Sequence, residues 1–164
     1  MVRKGFTLIE LLMVVAIISA LAVAVFVALN PAKRLKDAQD ARRTADVDAI
    51  LSAVHQSIVD NKGQYPVSMP PTDVWRQIGA SATGCALATT YCTGGTAVTD
   101  TTCANLMANG RNLRAYLAAI PVDPLGGTTY TASASGYSVM VDANGIVTIR
   151  ACAAEGTTDI YSSR

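Results

Sequence analysis

The chain has 164 residues, of which 51% are apolar and only 15% charged, with a formal net charge of +1. That length suits one globular domain with an appendage and leaves no room for two large domains, while a charge content well under the roughly 25% of a typical soluble domain points to contact with lipid. The near-zero net charge provides no broad basic field to attract phosphates, so overall charge gives no support to nucleic-acid binding.

Arg3 and Lys4 precede a run from Phe6 to Leu29 in which Thr7, Glu10 and Ser19 are the only polar side chains. As a helix this run is roughly 36 Å long at ~1.5 Å per residue, enough to cross a ~30 Å hydrocarbon core with some tilt. Three readings compete: an ordinary cleaved signal peptide, a permanent anchor, and a segment clipped ahead of its apolar part so that the apolar part is retained. Ala20-Leu21-Ala22 offers the small-residue site of a signal peptide, but it lies inside the apolar run. Glu10 argues against the first two readings, because an ionised carboxylate deep in a bilayer costs on the order of 2.5–3.5 kcal/mol or more. A cut between Gly5 and Phe6 would put the new amine of Phe6 about one helical turn from Glu10, where neighbouring subunits are able to pair amine with carboxylate. The plainer alternative keeps Glu10 near the membrane interface.

Gly5-Phe6-Thr7-Leu8-Ile9-Glu10-Leu11-Leu12 after a short basic leader resembles the prepilin processing motif of type IV pilins and type II secretion pseudopilins. The resemblance implies a leader at 1–5, a filament-core helix at 6–30 and a globular head at 31–164. It also implies cleavage after Gly5 by a membrane prepilin peptidase, N-methylation of Phe6 and a guiding role for Glu10 in assembly. By the same resemblance the precursor sits in the cytoplasmic membrane and is built into a homo-oligomeric, helical extracellular or periplasmic filament by an inner-membrane platform with a cytoplasmic ATPase. Loss of Arg3 and Lys4 with the leader takes two of the 13 basic side chains and leaves a mature chain near neutrality against 12 acidic ones. A simple count of positive charge runs the other way: Lys33, Arg34, Lys36, Arg42 and Arg43 follow the span and would hold the head in the cytoplasm. The cysteines and the processing motif outweigh that count.

Asn30-Pro31 interrupts the helical pattern, since proline lacks a backbone donor and clashes with the preceding turn; a kink at Pro31, a melted stretch or a fresh helix start is expected. Val47, Ile50, Leu51, Val54 and Ile58 then recur at helical spacing and mark one face able to pack on a sheet, with Asp46, Asp48, Gln56 and Asp60 at polar positions. This amphipathic helix is placed at 31–62, ended by Asn61-Lys62-Gly63. His55 is read as a surface or packing residue.

A connecting loop at 66–120 is rich in Thr, Ala, Gly and Ser and holds Cys85, Cys92 and Cys103; Cys152 follows near the end. The four cysteines lack the close pairs of structural zinc sites and suit two disulfides in an oxidising compartment, with three pairings open. Cys85 with Cys92 and Cys103 with Cys152 is the pairing favoured, because the first closes a short loop and the second ties the middle of the head to its end. Short helices are expected at 72–78 and 113–119, with Trp75 anchoring the first. Ile120-Pro121-Val122-Asp123-Pro124 turns the chain and resembles the proline-aspartate turn before the sheet of major pseudopilins. The C-terminal region 121–164 then offers strands at 128–132, 137–141 and 146–151. A two-residue Asn144-Gly145 hairpin loop mixes apolar with polar positions, whereas a three-residue loop with left-handed Gly145 sets Val141 by Val147 and Val139 by Ile149 on one apolar face. The second is chosen. The resulting fold class is α+β, a long N-terminal helix packed on a small antiparallel sheet, as in pilins.

No nucleophile with its base, phosphate-binding loop or metal-ligand frame is evident, so no catalytic residue and no cofactor are assigned. Glu155 and Asp159 are weak calcium candidates, because some major pseudopilins bind calcium in C-terminal loops. A structural filament subunit is thus the leading function; an anchored exported module that does not polymerise is the alternative, and a small exported hydrolase is remote. The short head and proline-aspartate turn favour a pseudopilin, and the cysteines with the Thr-rich middle favour a surface pilus; a pilus subunit of pseudopilin-type fold reconciles them.

Overall fold

The computed structural model describes residues 5–86, 92, 94–95, 101–108, 110–127, 129–156 and 159–164. Residues 1–4, which include Arg3 and Lys4 of the expected leader, and Thr128 at the head of one expected strand lie outside the described residues. The chain divides into two compact units, 1–36 and 37–164, with the boundary inside the second helix.

The first unit carries helix α1, Leu8–Leu29, in which no residue is buried. It stops at Asn30, which adopts a left-handed conformation (φ 40°). Helix α2, Pro31–Asp60, starts immediately afterwards. Proline suits a first helical position because its missing N–H would have had no intrahelical partner there. The Asn30 side chain accepts from the Lys33 N–H at 3.3 Å, and its carbonyl accepts from the Arg34 N–H at 3.2 Å. Of the outcomes open for Asn30-Pro31, a fresh, capped helix start is the one adopted.

The second unit is α+β. Val47, Ile50, Leu51 and Val54 of α2 are fully or almost fully buried, with Ile58 half-buried beside them, as the helical spacing of these residues required. Lys62 and Gly63 both take positive φ, and the Gly63 N–H returns to the Ile58 carbonyl at 2.8 Å, closing the helix end. The sheet has four antiparallel strands in chain order: β1 Arg76–Gln77, β2 Tyr137–Val141, β3 Val147–Ala151 and β4 Tyr161–Ser163. Val139 pairs with Ile149 and Val141 with Val147, and Gly145 is left-handed at φ 84°. This is the register that a single apolar face demanded. Tyr137, Val139, Val141, Val147, Ile149 and Ala151 meet the α2 face in one core with Ile78, Ala104, Leu106 and Leu113.

Several expectations are corrected. No helix forms at 72–78; the segment enters the sheet as β1 because Ile78 must reach the core and its N–H binds the Tyr137 carbonyl. At 113–119 there is only one turn, closed by Tyr116 and Leu117 N–H groups on the Leu113 carbonyl. Of the expected strand at 128–132, the described residues 129–132 form no strand, and a tight turn closed by an isolated Thr131–Ala134 bridge stands there instead. Strand β4 was not anticipated: three residues with exposed Tyr161 and Ser163 carry too little apolar alternation to announce themselves.

The cysteine pairing is also corrected. Cys85 bonds Cys103, and Cys92 bonds Cys152. A parallel bridge between Ile78 and Ala104 brings the chain on either side of the Cys85–Cys103 loop together, so this pair closes a loop already shaped by backbone contacts. Cys92 and Cys152 pack with Trp75 on the other side of the sheet, where the Ser138 hydroxyl donates to the Cys92 carbonyl. Trp75 is thus a packing anchor.

Replacing Ile149, which is fully buried, with Ala is expected to cost about 2–5 kcal/mol. Urea unfolding of the detergent-solubilised chain, followed through Trp75 fluorescence, measures this.

Candidate functional site

The N-terminal motif has a defined geometry. Gly5 and Phe6 lie ahead of the helix, and Phe6 is 85% exposed. A Cβ placed on Gly5 would meet nothing within 4 Å, so Gly5 is not required by packing or by a tight turn. Thr7 is the N-cap of α1, in extended conformation (φ −81°, ψ 150°). Its hydroxyl oxygen accepts from the Glu10 N–H at 3.3 Å, while a Glu10 carboxylate oxygen accepts from the Thr7 N–H at 2.9 Å and from the Thr7 hydroxyl at 2.8 Å.

This is a reciprocal capping box, satisfying two helix-end donors that would otherwise have no partner. It gives Glu10 a partner within its own chain, which reasoning from the cost of a buried carboxylate had sought only in an amine at Phe6. The signal was legible as Thr-x-x-Glu ahead of an apolar run. In the uncleaved chain the Phe6 nitrogen is an ordinary peptide nitrogen.

The remaining candidate residues lie in the head and do not join this motif. Glu155 sits 3.8 Å from Arg43, and Asp159 makes a 2.8 Å ion pair with Arg150, so the two weak calcium candidates face different arginines. Among the described residues no group of three or more His, Cys, Asp or Glu side chains is arranged to hold a metal. His55 is half-buried, as a packing residue would be.

One buried ionic cluster was missed by sequence reasoning. Arg43, fully buried on α2, donates twice to Asp123 at 2.8 and 2.9 Å and once to Asp40 at 2.7 Å. Asp123 is itself buried, and it also accepts from the Leu125 N–H at 2.9 Å. Asp40 accepts from the backbone N–H groups of Glu155 and Gly156 at 3.1 and 2.9 Å. Helix α2, the Ile120–Pro124 turn and the segment after β3 are therefore joined through one guanidinium. Burial works against the charge on Arg43, but its bonds to Asp123 and Asp40 more than offset this and hold its pKa above the ordinary value. For Asp40, burial pushes upward, and the Glu155 N–H, Arg43 and the Gly156 N–H outweigh it, so its carboxyl titrates below the usual value.

Residues 1–26 match the family model of the prokaryotic N-terminal methylation motif. No curated protein and no solved structure matches the chain. The chain thus carries a prepilin-type methylation motif, joined to an α+β head of pilin-like arrangement.

Asp123→Asn should destabilise the head by about 3–5 kcal/mol, because it removes the bidentate charge from a buried arginine. The depressed pKa of Asp40 means that its contribution is in place above about pH 4 and is lost as the pH falls through the folded-state value. Asp40→Asn should therefore flatten the acid limb of stability below pH 4, as read by urea midpoints from pH 2 to 7.

Proposed function

We propose that the chain is the precursor of a type IV pilin-like filament subunit, with a structural and not an enzymatic role. One coincidence carries the reading: a methylation motif at 1–26 runs into a helix of 22 residues, Leu8–Leu29, none of which is buried. The Gly5–Phe6 bond stands in exposed, non-helical chain just ahead of the Thr7 cap, the form of backbone that a peptidase can bind. Hydrolysis there by a prepilin peptidase releases residues 1–5 and leaves Phe6 with a free amine for methylation. The capping box survives the cut, because Thr7 keeps its peptide N–H.

In the stored precursor, lipid covers α1. During assembly, α1 helices of neighbouring copies replace that lipid, and Glu10 meets the Phe6 amine of an adjacent copy and sets the register. Extraction is driven by a membrane platform with a cytoplasmic ATPase. Two disulfides in the head suit an oxidising periplasm or exterior, and together with the Thr-rich middle they favour a surface pilus whose subunit has a pseudopilin-type fold.

Glu10→Ala tests assembly. The expected result is at least a tenfold loss of filaments from the sheared surface fraction, counted by electron microscopy, with carbonate-resistant membrane insertion unchanged. Undiminished filament numbers, or a wild-type chain that makes none, would leave an anchored module that does not polymerise.

A further inference from the structure

Of the five basic residues that follow the apolar helix, two are engaged within the head. Arg43 is buried against Asp123 and Asp40, and Arg42 faces Asp46 at 3.7 Å. Lys33, Arg34 and Lys36 differ: all three are exposed, and none has an ion pair among the described residues. They follow Asn30 by three to six residues and occupy an arc of about 160° on α2 at ~100° per residue. Asp37, the nearest carboxylate in sequence, follows Lys36 along the helix and has no ion pair among the described residues.

The length of α1 places this cluster. Its 22 residues span roughly 33 Å, close to the ~30 Å hydrocarbon thickness of a bilayer. A span that fills the core leaves Asn30 at the boundary with the headgroups. The helix break belongs at that depth for a separate reason: the last α1 carbonyls lose their intrahelical donors at Pro31 and need polar partners, which hydrocarbon cannot supply. Lys33, Arg34 and Lys36 then fall in the phosphate layer, on stems long enough to reach it.

From this juxtaposition we infer that Lys33, Arg34 and Lys36 form a collar that binds anionic phospholipid headgroups and fixes the depth of the unassembled subunit in the membrane. The inference rests on membrane storage through α1, as proposed above, but not on the side that the head occupies, since the collar meets headgroups on either face. It also gives the basic residues after the span a role other than topology. Each basic side chain near an anionic surface favours binding on the order of fivefold, and the attraction is screened by salt.

The full-length chain, reconstituted in phosphatidylcholine vesicles, is probed with spin-labelled phosphatidylglycerol or spin-labelled phosphatidylcholine, and the motionally restricted fraction of each lipid is read by electron paramagnetic resonance. The expected result is at least a twofold preference for phosphatidylglycerol in 50 mM salt, falling toward unity in 500 mM salt. The preference should fall at least by half in the triple variant Lys33→Gln, Arg34→Gln, Lys36→Gln, leaving only the share due to Arg3 and Lys4 ahead of the span, and persist in full in Arg42→Gln. Equal restriction of both lipids by the wild type, or an undiminished preference in the triple variant, overturns the collar while leaving the membrane span intact. Absence of restricted lipid of either kind overturns the span and the collar together.

Discussion

Helix α1 is an apolar surface none of whose residues is buried. Large side chains such as Ile9, Leu12, Ile17, Leu21 and Phe26 are each more than half exposed, and water is a poor medium for them at about 25 cal/mol for each Å² of apolar surface. Such a helix needs lipid or another apolar surface to cover it. The other features of the first unit answer to that requirement. Its start is capped internally by Thr7 and Glu10, so the helix does not expose needless backbone donors. Its end is broken at Asn30, where the apolar run is already as long as a bilayer is thick.

The head meets a different constraint. It is small, and its sheet has short outer strands, β1 with two residues and β4 with three. Burial of the α2 face against β2 and β3 supplies one core, while the segments that carry no regular structure are held by other means. Arg43 gathers the Asp123 turn and the segment after β3, and the disulfides fasten the long connection before β2. Arg150, stacked 4.5 Å from the Tyr161 ring and paired with Asp159, draws β4 back onto the sheet. A buried arginine with two carboxylates is stable only while every member remains in place, so the cluster makes the turn, the helix and the C-terminal segment depend on one another.

How much of this was legible in the sequence follows from how local each signal is. The α2 face and the β2–β3 hairpin register were readable because period and turn chemistry act within about a dozen residues: Val47 to Ile58 on the helix, Val139 against Ile149 across Gly145. The motif at Gly5–Leu12 was readable for the same reason, although the capping role of Thr7 was overlooked. The misreadings concern distant partners. Asp123 lies 80 residues from Arg43, and no local pattern distinguishes it from any other turn aspartate. The disulfide pairing failed because loop length was taken as the guide, whereas the sheet decides which thiols meet: the Ile78–Ala104 bridge brings Cys85 to Cys103, and the end of β3 brings Cys152 to Cys92. Strand β1 was mistaken for a helix because two residues are too few to show alternation.

The central claim, that the chain is stored in a membrane and then clipped ahead of its apolar helix, is tested most directly by the mass of the N-terminal peptide isolated from the native membrane or from sheared surface material. A chain that begins at N-methylated Phe6 is the predicted result; an intact Met1, or a start within the apolar run near Val23 or Val25, would contradict it.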